Sequence, residues 1–157
     1  MSAAPGPARI RYVDVYPVRA TDGGLEVLAL RRGPHGRCPG SWEAVHGHLD
    51  AGEDPLAGAR RELAEETGLS GERWYNLSRV ESFFVPRLGE VVLVPAFAVF
   101  VRGQPSLSSE HDAHEWLSLD AAGARLSWPR CQRAIEDLGR LLGGGDAGPL
   151  EDVLRLD

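Results

Sequence analysis

The chain has 157 residues, 43% hydrophobic and 25% charged, with a formal net charge of −6, a composition that suits one soluble globular domain with a proper core. An acidic balance excludes broad, non-specific nucleic-acid binding, which needs a basic face. No run approaches the roughly 20 apolar residues of a membrane helix, and the opening MSAAPGPAR lacks the charged-then-apolar order of a signal peptide, so a cytoplasmic enzyme or binding module is expected.

In chain order, residues 1–8 are rich in Ala, Pro and Gly and read as a disordered lead. Ile10 to Val18 is β-branched and aromatic, a strand, followed by a turn at Thr21 to Gly24. Leu25 to Leu30 is a second strand that runs into Arg31 and Arg32. Gly33 to Ser41 holds glycines and prolines and reads as a loop, and Trp42 to His48 as a short extended piece. A helix then starts at Asp54, a good N-cap, with Pro55 in the first helical position. Leu56, Ala59, Leu63 and Thr67 form its apolar stripe and Gly68 its stop.

Two strands follow, Arg79 to Val85 and Val91 to Val101, about a turn at Pro86 to Glu90. Pro95 inside the second implies an edge or a bulge. Glu115 to Leu119 reads as extended, a helical stretch begins near Asp120, and another follows Pro129 with Ile135, Leu138, Leu141 and Leu142 as its apolar face. Gly143 to Gly145 ends the compact part, and the tail either docks or frays. The expected architecture is α/β, a mixed sheet sandwiched between helices. Its organisation is a lead (1–8), one domain (9–142) and a Gly-rich linker with a short tail (143–157). Cys38 and Cys131 are too few for a metal cage and read as unpaired thiols in a reducing compartment.

The helix contains a local conflict. Glu62 lies three residues from Glu65 and four from Glu66, and like charges at those spacings each cost about a few tenths of a kcal/mol. The cluster also approaches the negative end of the helix dipole. Arg61 offsets part of this through Glu65, in the poorer Arg-before-Glu orientation. The apolar stripe leaves the glutamates on an adjacent face. Clustered carboxylates there are either a solvated surface or oxygen ligands for a hard divalent cation such as Mg²⁺. A bound cation turns their repulsion into attraction and lets an acidic protein hold a polyphosphate.

The wider stretch GHLDAGEDPLAGARRELAEETGL decides between these. Gly47, five residues, Glu53, seven residues, then Arg61-Glu62-Leu63-Ala64-Glu65-Glu66-Thr67-Gly68-Leu69 is similar to the Nudix box at every fixed position. Seven such identities coincide by chance on the order of once in 10⁸ windows. The resemblance implies a Nudix fold over roughly Ile10 to Leu142. It also implies a Mg²⁺ cofactor, with Mn²⁺ as a substitute, held by Glu62, Glu65 and Glu66 and the main-chain carbonyl of Gly47. Glu66 or Glu62 would lie closest to the activated water, Arg61 would orient a glutamate by a bidentate contact, and Glu53 would support it through water or a salt bridge.

Outside the box, Arg31 and Arg32 end a strand facing the site and are either phosphate ligands or surface charges. Trp42 either stacks on a base or packs in the core. Ser108 to Leu138 resembles the C-terminal signature of two Nudix subgroups, the dihydroneopterin and deoxynucleoside triphosphate pyrophosphohydrolases and the diadenosine tetraphosphate hydrolases. In both, a Glu-His pair precedes a Trp, as Glu110-His111 precedes Trp116. Glu110 is thereby a candidate extra ligand or general base, and His111 and His114 candidate phosphate contacts. Trp128, Gln132, Ala134 and Ile135 match the first subgroup better. The second typically has Pro-Lys-Gly where this chain has Ala44, Val45, His46 and Gly47.

The resemblance therefore implies a pyrophosphohydrolase that cleaves a nucleoside or pterin triphosphate to monophosphate and pyrophosphate by water attack on phosphorus. Dinucleoside polyphosphates, ADP-ribose or oxidised nucleotides are the alternative substrates. A non-catalytic nucleotide sensor is a third reading, disfavoured by the intact glutamates. The expected partner is a small nucleoside or pterin polyphosphate, with no membrane partner. The family includes monomers and dimers, so a homodimer is compatible.

Overall fold

The computed structural model describes residues 9–157; the lead expected over residues 1–8 lies outside them. The elements are β1 (Arg9–Ile10), β2 (Tyr12–Thr21), β3 (Gly24–Arg32), β4 (Trp42–Glu43), β5 (Val45–His48), α1 (Pro55–Thr67), β6 (Gly71–Val85), β7 (Glu90–Val101), β8 (His111–Ser118), α2 (Leu119–Arg125) and α3 (Pro129–Leu142). A 3₁₀ turn (Gly148–Leu150) and α4 (Glu151–Leu154) end the chain. The sheet runs β1-β7-β2-β3-β4, with β6 on β7, β5 on β2 and β8 on β3. β7 is parallel to β1 and β2, and the other pairs are antiparallel. This is the mixed sheet between helices that the pattern predicts.

Period-2 alternation builds two cores on one sheet. Val13, Val15, Leu28, Leu30 and Val45 face Ala59 and Leu63 of α1. Tyr16, Val18, Val27, Ala29 and Ala98 face Ala122, Ile135, Leu138 and Leu142 of α2 and α3. Because both faces are covered, the central strands read as near-continuous apolar runs. Asp54 caps α1 by accepting from the Leu56 and Ala57 amides at 3.0 and 3.1 Å. Gly68 ends it with φ 68°, where a side chain would be strained.

Three expected boundaries move. β6 starts at Gly71 rather than Arg79, because Trp74, Tyr75 and Leu77 are buried inside the polar-looking run GERWYNLS. Its pairing with β7 shifts register between Asn76 and Val80, opposite Pro95, which is the expected bulge. β8 starts at His111 rather than Glu115, because main-chain pairing along β3 carries the polar residues His111 to His114. Beyond Gly145 the tail docks. Ala147 and Leu154 join the α3 core, the Leu156 amide donates to Trp74 O at 2.9 Å, and the Tyr75 hydroxyl donates to Glu151 at 2.9 Å. Cys38 is exposed, Cys131 buried, and both are free. No helix among the described residues is long and apolar enough to cross a membrane.

Candidate active site

β5 and α1 face each other at Gly47 and Glu62. Any Cβ at Gly47 would overlap the Glu62 carboxyl group, so the glycine is a cradle that only a bare main chain can form. The capped start of α1 and the short Leu49–Asp54 connection hold the helix at this distance.

Arg61 is the hub on the outer side. It grips Glu53 bidentately, Nε to Oε2 at 2.9 Å and Nη2 to Oε1 at 2.8 Å. It also donates to Glu62 Oε1 at 2.8 Å, to Glu65 Oε2 at 3.3 Å and to His48 O at 2.8 Å. The bidentate contact therefore falls on Glu53, and Glu62 receives a single bond. The Arg61 hydrogen bonds above all, aided by the Asp50 amide, hold the Glu53 carboxyl down at about 2. That contribution to stability is present above the usual range near 4.5 and is lost as pH falls toward 2. Arg61→Lys cannot grip two oxygens in this planar way. It is expected to lower the melting temperature at neutral pH by about 2–8 °C and to shrink the loss between pH 4.5 and 2. Thermal melts against pH check both.

The three glutamates of α1 divide. Glu65 leaves 58% of its side chain exposed, whereas Glu62 and Glu66 are 8% and 3% exposed. Burial pushes the Glu62 carboxyl above its ordinary value despite Arg61. It pushes Glu66 up to about 10, helped by the charges of Glu43, Glu62 and Glu110, against a hydrogen bond with the His46 main chain. Glu66 Oε2 is buried without a hydrogen-bond partner. Glu110 lies exposed in the loop before β8, near enough for its charge to act on both Glu62 and Glu66.

Among the described residues no three His, Cys, Asp or Glu side chains stand in an arrangement ready to hold an ion. The donors nevertheless fit a hard dication in kind, being oxygens: an orphaned buried carboxyl oxygen on Glu66 and the Glu62 carboxyl group in its glycine cradle. Glu62, Glu65, Glu66 and the Gly47 carbonyl are the residues that would hold it.

Of the residues expected to meet substrate, Arg31 lies beside Trp42, and Arg32 and His111 share Glu43. Arg31 is half-buried and paired with Asp112 at 2.7 Å. Arg32 is turned inward onto Glu43 at 3.0 Å. Trp42 is half-buried against the α2/α3 core, with the Arg125 guanidinium 4.9 Å and that of Arg31 5.9 Å from its ring centre. His114 is half-buried on β8. His111 corrects the expectation of a loop histidine open to phosphate: its side chain is 0% exposed, and Nε2 lies 2.9 Å from Glu43 Oε1. Burial raises the Glu43 carboxyl, but the His111 hydrogen bond and the Arg32 charge outweigh it and hold the group below its ordinary value.

Sequence reasoning missed Glu43 and a second buried network across β5. Asp14 is 3% exposed and contacts His46 Nδ1 at 2.6 Å and Arg130 Nε at 2.7 Å. Tyr12 stacks on His46 at 5.2 Å. The Arg130 guanidinium lies 5.4 Å from the Phe83 ring centre and 5.7 Å from that of Trp128, which is 39% exposed. The readable signal was Asp14 itself, a charge inside the apolar run YVDVY. Two hollows, of about 280 Å³ between α1 and the start of β6 and about 380 Å³ between α2 and α3, touch none of these carboxylates. Arg60 and Asp157 line the first, and Asp120, Glu136 and Arg140 the second.

Residues 8–138 match the NUDIX domain. The chain is 33% identical over 137 residues to an octanoyltransferase of Myxococcus xanthus, covering 83% of this chain and 37% of that one. It is 36% identical over 89 residues to the bis(5'-nucleosyl)-tetraphosphatase (asymmetrical) of Rattus norvegicus, covering 52% and 58%. The fold matches the E. coli dihydroneopterin triphosphate pyrophosphohydrolase with a TM-score of 0.64 at 25% identity, covering 83% and 96%. The chain thus spans less than two thirds of the curated relatives' own lengths.

Proposed function

Because the chain belongs to the Nudix family, we propose that it is a Mg²⁺-dependent pyrophosphohydrolase cleaving a nucleoside or pterin triphosphate, with water, to the monophosphate and pyrophosphate. The observation that carries this reading is the partnerless, buried carboxylate oxygen of Glu66 beside the Gly47–Glu62 cradle. A buried carboxyl oxygen left without a partner is costly in a protein that never binds a cation. The box glutamates are also all intact, unlike those expected of a pure sensor.

A bound Mg²⁺ supplies charge neutralisation at phosphoryl oxygens and a water of lowered pKa. Glu62 and Glu66 would hold the cation, and Arg61, itself fixed by Glu53, keeps Glu62 turned toward Gly47. Glu110, exposed and close to both, accepts the proton of the attacking water. Trp128, exposed beside Arg130, offers a flat face to the ring of the substrate.

Two outcomes are expected. Mg²⁺ at about 100 times its Kd stabilises the folded state by about 2.7 kcal/mol, a rise of about 5–10 °C in melting temperature for a chain of this size. Melts with Mg²⁺, Mn²⁺ and no metal measure it, and an unmoved transition counts against a metal at this site. Trp128→Ala is expected to raise KM about 5–100-fold, the value of one stacked ring, with kcat little changed. The deciding assay is pyrophosphate and phosphate release across a panel of triphosphates and other diphosphate compounds. The rat relative favours a second reading, a dinucleoside polyphosphate substrate; a panel led by such compounds establishes it instead. Inertness of wild type on every member, with Mg²⁺ present, ends the hydrolase reading.

A further inference from the structure

Glu110 carries its proposed role only if its loop is held still, and its local ties are thin. The Ser108 amide reaches Glu66 O at 3.4 Å, the Glu110 amide reaches Ser108 Oγ at 3.4 Å, and the His111 amide reaches Ser108 O at 3.4 Å. All three are at the weak end of hydrogen-bond geometry. The short main-chain contact at Glu110 is its carbonyl, which accepts from the Gly33 amide at 2.9 Å.

The next residue is anchored differently. Leu30 of β3 pairs with Glu43 of β4 on one edge and with His114 of β8 on the other, so β3 separates β4 from β8 and no main-chain bond can join them. Glu43 bridges the gap with its side chain. Its Oε1 takes His111 Nε2 at 2.9 Å and Arg32 Nη1 at 3.0 Å, tying β4, the end of β3 and the start of β8 at one atom. Glu43 is 4% exposed and the His111 side chain 0%. A charge-assisted bond so shielded from water is far stiffer than the three long contacts beside it.

We propose that Glu43 is a positioning residue: through the buried ring of His111 it fixes the loop that carries Glu110 over Glu62 and Glu66. The inference rests on the hydrolase reading of the site. It gives the Glu-His pair two separate jobs. Glu110 faces the reacting water, and His111 is the peg that holds it. Glu43 also places a negative charge near Glu66, and the test must separate that effect from anchoring.

The experiment compares Glu43→Ala and Glu43→Gln, each alone and combined with Glu110→Gln, on the substrate that wild type cleaves fastest. Amide hydrogen exchange at residues 108–112 is followed in parallel. Glu43→Ala is expected to lower kcat about 10–100-fold, the cost of misplacing a reacting group, with KM within about threefold. Glu43→Gln keeps an oxygen that accepts from both donors, so kcat should stay within about fivefold of wild type. On the Glu110→Gln background, Glu43→Ala should add less than about a twofold loss, because the two residues act as one unit. Exchange at Glu110 and His111 should quicken about tenfold in Glu43→Ala.

An equal kcat loss on both backgrounds overturns the proposal, as does a loss as large for Glu43→Gln as for Glu43→Ala, which assigns the effect to charge. Unchanged exchange overturns it as well. Should Glu43→Ala not fold, His111→Ala breaks the same contact from the other side and is read by the same criteria. If wild type hydrolyses nothing, the hydrolase reading and the catalytic role fall together, whereas the exchange data alone judge the anchor.

Discussion

Glu66→Gln is expected to lower kcat on the order of 10²–10⁴-fold and, unusually for a loss of function, to raise the melting temperature of the metal-free protein. Burial holds the Glu66 carboxyl at about 10 in the folded state, against about 4.3 in the unfolded chain. The folded state therefore binds this proton more tightly throughout that interval. The stability the group contributes is complete below the unfolded value and is lost as pH rises toward about 10. Glutamine does not titrate, so its advantage should grow from pH 5 to pH 8. By pH 8 it should exceed about 2–4 °C, the value of roughly 1 kcal/mol in a chain of this size. The melting response to Mg²⁺ should shrink at the same time. Melts of both proteins at pH 5, 6.5 and 8, with and without metal, test it; a gain independent of pH would show that Glu66 is not a buried titrating group.

Gly47→Ala is the second large effect. The new methyl group would occupy the space of the Glu62 carboxyl, so Glu62 must turn away from its cradle and from Arg61. Overpacking of this kind costs about 1–3 kcal/mol, a fall of about 2–12 °C in melting temperature. Activity should drop on the order of 10²-fold, because a ligand group is displaced by about its own width. Removing the obstructing group discriminates between causes. If the lost stability is steric conflict with Glu62, then Glu62→Ala combined with Gly47→Ala should recover most of the melting temperature and none of the activity. Failure to recover stability would mean that the main chain at Gly47, rather than its neighbour, needs the glycine.

The site was legible where its chemistry is local. Glu62, Glu65 and Glu66 stand at helical spacings, and the Gly47–Glu53–Arg61 intervals cover one loop and two turns, so their juxtaposition follows from chain geometry alone. Exposure was not legible. All three glutamates look equivalent in RRELAEETGL, yet the sheet buries two and leaves the third in solvent. Partners remote in sequence were harder still. Glu43 and His111 are 68 residues apart, Asp14 and Arg130 116 apart. His111 read as a loop histidine because EHDAHEW has no apolar period, and the strand it begins is held by main-chain bonds to β3.

The same division runs through the fold. The central strands, α1 with its Asp54 and Gly68 caps, and α3 all announce themselves through apolar period and stop residues. The first half of β6 and the docked tail do not, because Trp74, Tyr75 and Leu154 find their burial only against elements made elsewhere in the chain.

By itself, then, the amino-acid sequence determined that this chain folds as a mixed sheet between helices and presents a carboxylate-rich helix behind a glycine loop, because periodicity and short spacings are local properties of a polypeptide. Only the tertiary structure decided which carboxylates are buried, how far their protons are held, and that Glu43 reaches past β3 to His111. Burial and long-range pairing depend on what the rest of the chain brings alongside.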